Sequence, residues 1–404
     1  MDDDGIYRRL AKALDDLPNG FPPTESGIEI EILKWMYTPE QAAIASLLTT
    51  EPVTEEQIAA RLKGIGGEMA GRDVVGHEVA DHGVADHKVA DHGVATADLR
   101  SILRDMRKRG LIWPGPIAGR SFTYRLAPFV VGAYESQRDI MDHKLAHLVE
   151  EYFNQGGLAG IMRQPALHRV VPAHGAVKSE WVLPYDDVRS LLMQAGSFRL
   201  FDCICRKQKR LIGEGCDYPV RMCLSFSPVA AVATVPTATS AAAAPGPYSV
   251  SREEALATLD KAEEIGLVHT VSNVAKGINY VCNCCGCCCG ILRGITQFGV
   301  LESVAHANYR AEVDAAACTG CGVCTARCQV GAITLKDVGV ANGVAGAVAG
   351  VVAVVDAERC IGCGLCVTGC PDGAATLHLK PEEEIVHPPA DFGTWEAERI
   401  QRRG

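Results

Sequence analysis

The chain has 404 residues, enough for two or three domains and at least one sizeable core. It is 48% hydrophobic and 22% charged, an ordinary globular composition, and its net charge of −10 argues against whole-molecule attraction to nucleic acid. All 18 cysteines lie between Cys203 and Cys370, no apolar run is long enough to span a membrane, and the acidic N-terminus carries no apolar signal region. A cytoplasmic chain whose thiols hold metal is therefore expected in preference to a disulfide framework.

Residues 28–130 form the first expected domain. Ile28, Ile32, Leu33 and Met36 open an apolar segment, and Ile44, Leu47 and Leu48 follow at helical spacing after Pro39. Thr54 and Gln57 predict a capping box ahead of Ile58 and Leu62. Leu99, Ile102, Leu103 and Met106 predict a further helix that Gly110 stops. Ile112–Trp113 and Ser121–Leu126, separated by a Pro-Gly-Pro turn, then predict a hairpin. This order resembles a winged-helix domain with the helix over 98–109 in the recognition position. Residues 98–125 carry Arg100, Arg104, Arg107, Lys108, Arg109, Arg120 and Arg125 against Asp98 and Asp105, a local surplus of five positive charges.

Three low-complexity stretches are expected to be loop insertions: the VADHG-type pentapeptide repeat over 79–93, within an insertion spanning 66–97; the Ala/Pro-rich residues 229–247; and the Gly/Ala/Val-rich residues 338–355. The five-residue period of His77, His82, His87 and His92 rotates successive imidazoles around a helix, so a solvated loop is expected there. Residues 131–305 read as a helical, cysteine-rich middle domain. Tyr134–Phe153 predicts one long helix with His143 and His147 on one face, a pair without a third ligand. Ser251 and Glu254 predict a second capping box that starts a scaffold helix ending at Gly266.

The strongest pattern is at the C-terminal end, over residues 306–380. Cys318, Cys321, Cys324 and Cys328 have the spacing C-x2-C-x2-C-x3-C; Cys360, Cys363, Cys366 and Cys370 repeat it 42 residues later, followed by Pro371. Asp314 and Asp356, Gly331 and Gly373, Thr334 and Thr376, and Leu335 and Leu377 also correspond, so two copies of one unit are expected. Three cysteines spaced this closely wrap one cube locally, and the fourth is carried away to the other cluster. Cys318, Cys321, Cys324 and Cys370 are thus expected to hold one [4Fe–4S] cluster, and Cys360, Cys363, Cys366 and Cys328 a second. A zinc site normally uses two ligand pairs with a longer spacer. These residues resemble the bacterial two-cluster ferredoxin family, which implies a pseudo-two-fold α+β fold and one-electron exchange with partner proteins. Gln329 stands where that family usually has proline.

Cys203, Cys205, Cys216 and Cys223 form one upstream group, and Cys282, Cys284, Cys285, Cys287, Cys288 and Cys289 another. Ten free thiols would be an oxidation liability, so a further metal centre is expected: one or more additional iron–sulfur clusters with ligands from both groups, or a zinc ion. Arg206, Lys207, Lys209 and Arg210 follow directly and read either as cations near a cluster or as an exposed basic face. The sequence Cys203–Arg206, Gly213–Cys216 and Cys282–Cys289 ahead of two ferredoxin motifs resembles multi-cluster iron–sulfur proteins of anaerobic microbes.

The expected fold class is α+β multidomain: a winged-helix-like N-terminal domain, a cysteine-rich middle domain and a two-cluster ferredoxin-like C-terminal domain. No catalytic triad, phosphate loop or dinucleotide fingerprint is present, so an electron carrier or relay subunit of an anaerobic oxidoreductase complex is expected in preference to a stand-alone enzyme. Its partners would be a redox donor and acceptor. The alternative is a redox-responsive regulator that binds DNA through the winged-helix-like segment.

Overall fold

The computed structural model describes residues 3–69, 96–116, 121–228, 248–338 and 350–402. The histidine-bearing pentapeptide repeat, residues 229–247 and Arg120 lie outside the described residues. The chain divides into two compact units, Met1–Gly157 and Leu158–Gly404.

In the first unit, helices α1 (Asp3–Asp16), α2 (Ile28–Met36) and α3 (Pro39–Ala45) lead to strand β1 (Val53–Thr54), helices α4 (Glu55–Met69) and α5 (Thr96–Lys108), and strands β2 (Ile112–Pro114) and β3 (Thr123–Leu126). The Thr54–Gln57 capping box forms: the Thr54 backbone N–H donates to Gln57 Oε1 at 2.8 Å, and the Gln57 N–H donates to Thr54 Oγ1 at 3.3 Å. Strand β3 is central, antiparallel to both neighbours, with Val53 opposite Tyr124 and Ile112 opposite Leu126. Helix α5 buries Leu99, Leu103 and Met106, while Arg100, Arg104, Arg107 and Lys108 are exposed.

Tyr134–Phe153 is not one helix. A short turn α6 (Tyr134–Ser136) ends before Asp142, whose carboxylate accepts the Leu145 N–H at 2.8 Å and caps a separate helix α7 (His143–Tyr152). An aspartate at this position competes for backbone donors and restarts the helix. The His143 and His147 rings lie 4.4 Å apart, tilted by 55°, and are exposed. Phe21 from the α1–α2 connection packs on Phe129 at 4.6 Å and Tyr152 at 5.0 Å, tying both ends of the unit into one core.

The second unit continues with α8 (Leu158–Ile161), β4 (His168–Val171), α9 (Val188–Gln194), β5 (Ala195–Asp202), α10 (Ile204–Leu211), β6 (Arg221–Pro228), β7 (Ser249–Val250), α11 (Arg252–Ile265), β8 (Val268–Ser272), β9 (Tyr280–Cys284) and α12 (Gly290–Thr296). Its main sheet has the order β4-β8-β9-β6-β5-β7, every pairing antiparallel. The Ser251–Glu254 capping box starts α11, with bonds of 2.8 and 3.1 Å. The remaining elements are β10 (Tyr309–Val313), α13 (Val323–Arg327), β11 (Ile333–Val338), β12 (Gly350–Val355), α14 (Leu365–Thr368), β13 (Ala375–Leu379) and α15 (Phe392–Gln401).

Residues 350–355, expected within a loop insertion, are strand β12; its valines pair with β11, Ile333 opposite Val355. The two sequence copies are thereby complete: β10–cysteines–β11 and β12–cysteines–β13. The strands cross over between copies, because β10 pairs with β13 and β11 with β12. Helix α15 anchors to the start of the unit, where buried Arg399 donates to the carbonyls of Ile161, Arg163 and Pro165 at 2.6–2.8 Å.

Replacing fully buried Leu103 by alanine removes the centre of the α5 apolar face. Urea denaturation should show a loss of about 2–5 kcal/mol in the first unit, with the iron content of the chain unchanged.

Candidate metal centres

All 18 cysteines are unpaired by disulfides, and the fold sorts them into four sets. Cys318, Cys321, Cys324 and Cys370 line one surface cavity of about 340 Å³, its open mouth included. Val323, Leu335 and Ala353 form part of its wall. The second set lies deeper. The Cys366 thiol is pushed up to about 12 by burial and by neighbouring Cys360 and Cys328, and Cys363 is raised by burial and by the same partners.

Both loops are built alike. The Cys318 N–H donates to the Asp314 carbonyl at 2.9 Å and the Cys360 N–H to the Asp356 carbonyl at 3.0 Å. Gly320 and Gly362 hold φ of +69° and +70°, and a Cβ there would meet the carbonyl oxygens of Val351 and Tyr309 at 2.3 and 2.5 Å. Only glycine fits this left-handed turn pressed against a strand. Sulfur acceptors are already engaged: the Ala332 N–H reaches Cys328 Sγ at 3.1 Å and the Ala353 N–H reaches Cys318 Sγ at 3.5 Å.

Upstream, Cys216, Cys285, Cys287 and Cys288 place their sulfurs within 4.8 Å of one another. Cys216 is 3.5 Å from Cys288 and 4.0 Å from Cys285, while Cys287 and Cys288 are 3.7 Å apart. Hydrogen bonds from Cys287 and Cys288 hold the Cys285 thiol far below its ordinary range. The other six upstream thiols close a ring of contacts in the order Cys203, Cys205, Cys289, Cys284, Cys282, Cys223. Within it Cys284 is pushed down to about 6, chiefly by hydrogen bonds from Cys282 and Cys289, and Cys205 is raised by its contacts with Cys203 and Cys289.

The basic run after Cys205 is not a uniformly exposed face. Arg206 is fully buried and Lys209 nearly so, paired with Glu214. Arg206 donates to the Asn283 carbonyl at 2.6 Å and the Pro219 carbonyl at 3.1 Å. Burial opposes its charge, yet Cys203, Cys285 and Cys284 outweigh that and raise its pKa.

Gln329 explains the departure from proline. Its Nε2 donates to Tyr218 Oη and to the Gly266 carbonyl, both at 2.8 Å, and its Oε1 accepts the Gly286 N–H at 2.9 Å. Gly286 lies between Cys285 and Cys287, and a Cβ there would sit 1.8 Å from the Gln329 carbonyl oxygen. The residue after Cys328 thus clamps the four-thiol set to the C-terminal region. The sequence alone marked Gln329 as an oddity without its partners, which lie 43 or more residues away.

A family model described as a 4Fe-4S dicluster domain matches residues 317–374. This segment is an iron–sulfur domain of ferredoxin-like type, and it supports an electron-transfer role. No curated protein and no solved structure matches the chain. The donor sets fit such clusters: thiolates are the ligands that iron–sulfur clusters require, and the Ala332 and Ala353 N–H groups already reach sulfurs of the two sets. No helix among the described residues is long and apolar enough to cross a membrane.

Gln329→Leu keeps the bulk but leaves the Gly286 N–H and the Tyr218 hydroxyl without this partner. Chemical denaturation of the second unit should register a loss of about 1–3 kcal/mol, with iron bound at the C-terminal sets retained.

Proposed function

We propose that this chain is an electron-transfer protein, a ferredoxin-like carrier or relay subunit of an anaerobic oxidoreductase complex. In this reading two [4Fe–4S] clusters are held by Cys318, Cys321, Cys324 and Cys370 and by Cys360, Cys363, Cys366 and Cys328. An additional metal centre is held by Cys216, Cys285, Cys287 and Cys288. The observation that carries the proposal is the Gln329 clamp, which joins the dicluster region to that four-thiol set through backbone and side-chain bonds. A bound [4Fe–4S] cluster supplies reversible one-electron chemistry at a potential within roughly −700 to +450 mV.

The protein's own contribution is placement and tuning. The N–H donors of Ala332 and Ala353 stabilise negative charge on Cys328 and Cys318. The first set opens to the surface, with exposed Cys321 and with Val323, Leu335 and Val351 exposed by 37–41% around it. An apolar rim beside a solvent-facing set of ligands suits brief docking of a redox partner. The second set is less open, with Cys366 buried and Cys328, Cys360 and Cys363 half-buried.

Anaerobic redox titration followed by EPR should give reversible one-electron signals from two clusters; irreversible bleaching would refute the carrier role. Crossed ligation has its own signature. Cys318→Ser/Cys370→Ser should lose no more iron than Cys370→Ser alone, because both ligands belong to one cluster. Cys318→Ser/Cys328→Ser should lose about twice as much.

A second reading concerns the first unit, which we infer to be a winged-helix-like docking module. The sheet order β1-β3-β2 and the exposed Arg104, Arg107 and Lys108 on α5 favour DNA as its ligand. Arg109 is committed elsewhere, donating to the Met36 carbonyl at 2.6 Å and to Gln41 Oε1 at 3.1 Å. A salt series of gel shifts should show duplex binding that Arg104→Glu/Arg107→Glu abolishes; equal retention by both proteins would remove this reading.

A further inference from the structure

We propose that the ring of Cys203, Cys205, Cys223, Cys282, Cys284 and Cys289 holds a polynuclear iron–sulfur centre of its own, distinct from the metal at the four-thiol set. This deepens the electron-relay reading and rests on it for the identity of the metal.

The two upstream sets are separated by chain geometry. Cys282 and Cys284 are two apart on β9 and share one face of that strand. Antiparallel pairing of Leu224 with Val281 brings Cys223 of β6 next to Cys282 on that same side. Cys203 and Cys289 are the N-cap residues of α10 and α12, and Cys205 lies in the first turn of α10. Beyond the end of β9 the chain turns, so Cys285 leaves the ring for the other set. The neighbouring pairs Cys284/Cys285 and Cys288/Cys289 are each divided in this way. No cysteine serves both sets.

Six thiols exceed what one tetrahedral ion can take, so a mononuclear zinc leaves two ring members without a role. A buried cation also stands beside the ring. Arg206 is fully buried beside it, engaged electrostatically with Cys203 and Cys284, and its Nε is buried without a hydrogen-bond partner. A buried guanidinium needs anionic neighbours, and neutral thiols would not provide them; metal-bound thiolates would. Thr270 Oγ1, 3.4 Å from Cys284 Sγ, adds a hydroxyl to that sulfur. The same chain holds the dicluster region, so it matures where iron and sulfide are inserted into proteins. That favours iron–sulfur over a zinc pair. Arg206 also engages Cys285 of the four-thiol set, so one cation faces both centres.

The test uses the full chain, purified anaerobically, saturated with ferrous iron and sulfide, and assayed for iron, acid-labile sulfide and zinc. The dicluster region accounts for about eight iron atoms as two cubes, and the Cys285→Ser/Cys287→Ser chain, its four-thiol set disabled, should still exceed that figure. Cys282→Ser/Cys284→Ser should lose at least about two irons together with sulfide while keeping the EPR signals of the dicluster region. Cys285→Ser/Cys287→Ser should lose a separate share of metal, and the two losses should add. A ring variant with wild-type iron, or zinc lost in place of iron, overturns the proposal. If the ring variant does not fold, the count of the Cys285→Ser/Cys287→Ser chain decides, and about eight irons or fewer also overturns it. A Cys285→Ser/Cys287→Ser chain with iron above that limit but no reversible cluster signal would instead refute the relay reading and leave the ring centre standing.

Discussion

Ten thiols gathered into two adjacent sets repel one another wherever they ionise, and a chain that buries them needs positive charge within reach. Arg206 is the internal answer. Its guanidinium is withdrawn from water, fixed by the carbonyls of Asn283 and Pro219, and turned toward thiols of both sets. An isolated buried cation of this kind would be strongly destabilising, whereas facing anionic sulfur it becomes part of the same balanced assembly. Asn283 contributes twice, because its side chain also binds the Met222 carbonyl and His269, both at 2.6 Å. The strand that presents Cys282 and Cys284 is thereby locked in register with its neighbours.

The second constraint is spatial continuity. The C-terminal sets would be a separate ferredoxin-like body if nothing fastened them to the sheet. Gln329 does so, and Arg327 adds bonds to the carbonyls of Glu263 and Glu264 at 2.7 and 2.8 Å. The Ala173 N–H adds a bond to the Cys363 carbonyl at 2.9 Å. The four sets of thiols therefore belong to one compact unit.

What the sequence made legible follows the range of the interactions involved. The cysteine spacing, the paired aspartates and glycines of the two repeats, and the capping boxes at Thr54 and Ser251 are local, and each has a visible counterpart. The break at Asp142 was missed because one capping side chain overrides an apolar period that continues through it. Strand β12 was hidden by its Gly, Ala and Val composition, which resembles the low-complexity run before it. The division of the ten upstream cysteines depends on β6 meeting β9 and on turns after Cys284, none of which spacing reveals. The burial of Arg206 was equally invisible, since a run of basic residues looks the same on a surface as beneath one.

The exchange of strands between the two C-terminal repeats carries a consequence for biogenesis. Because β10 pairs with β13, the first repeat stays open until residues 375–379 have emerged from the ribosome. Its loop, though synthesised earlier, waits with three exposed thiols for the end of the second repeat. The first thiol set is therefore completed only by the second repeat, and during that interval its thiols depend on reducing surroundings.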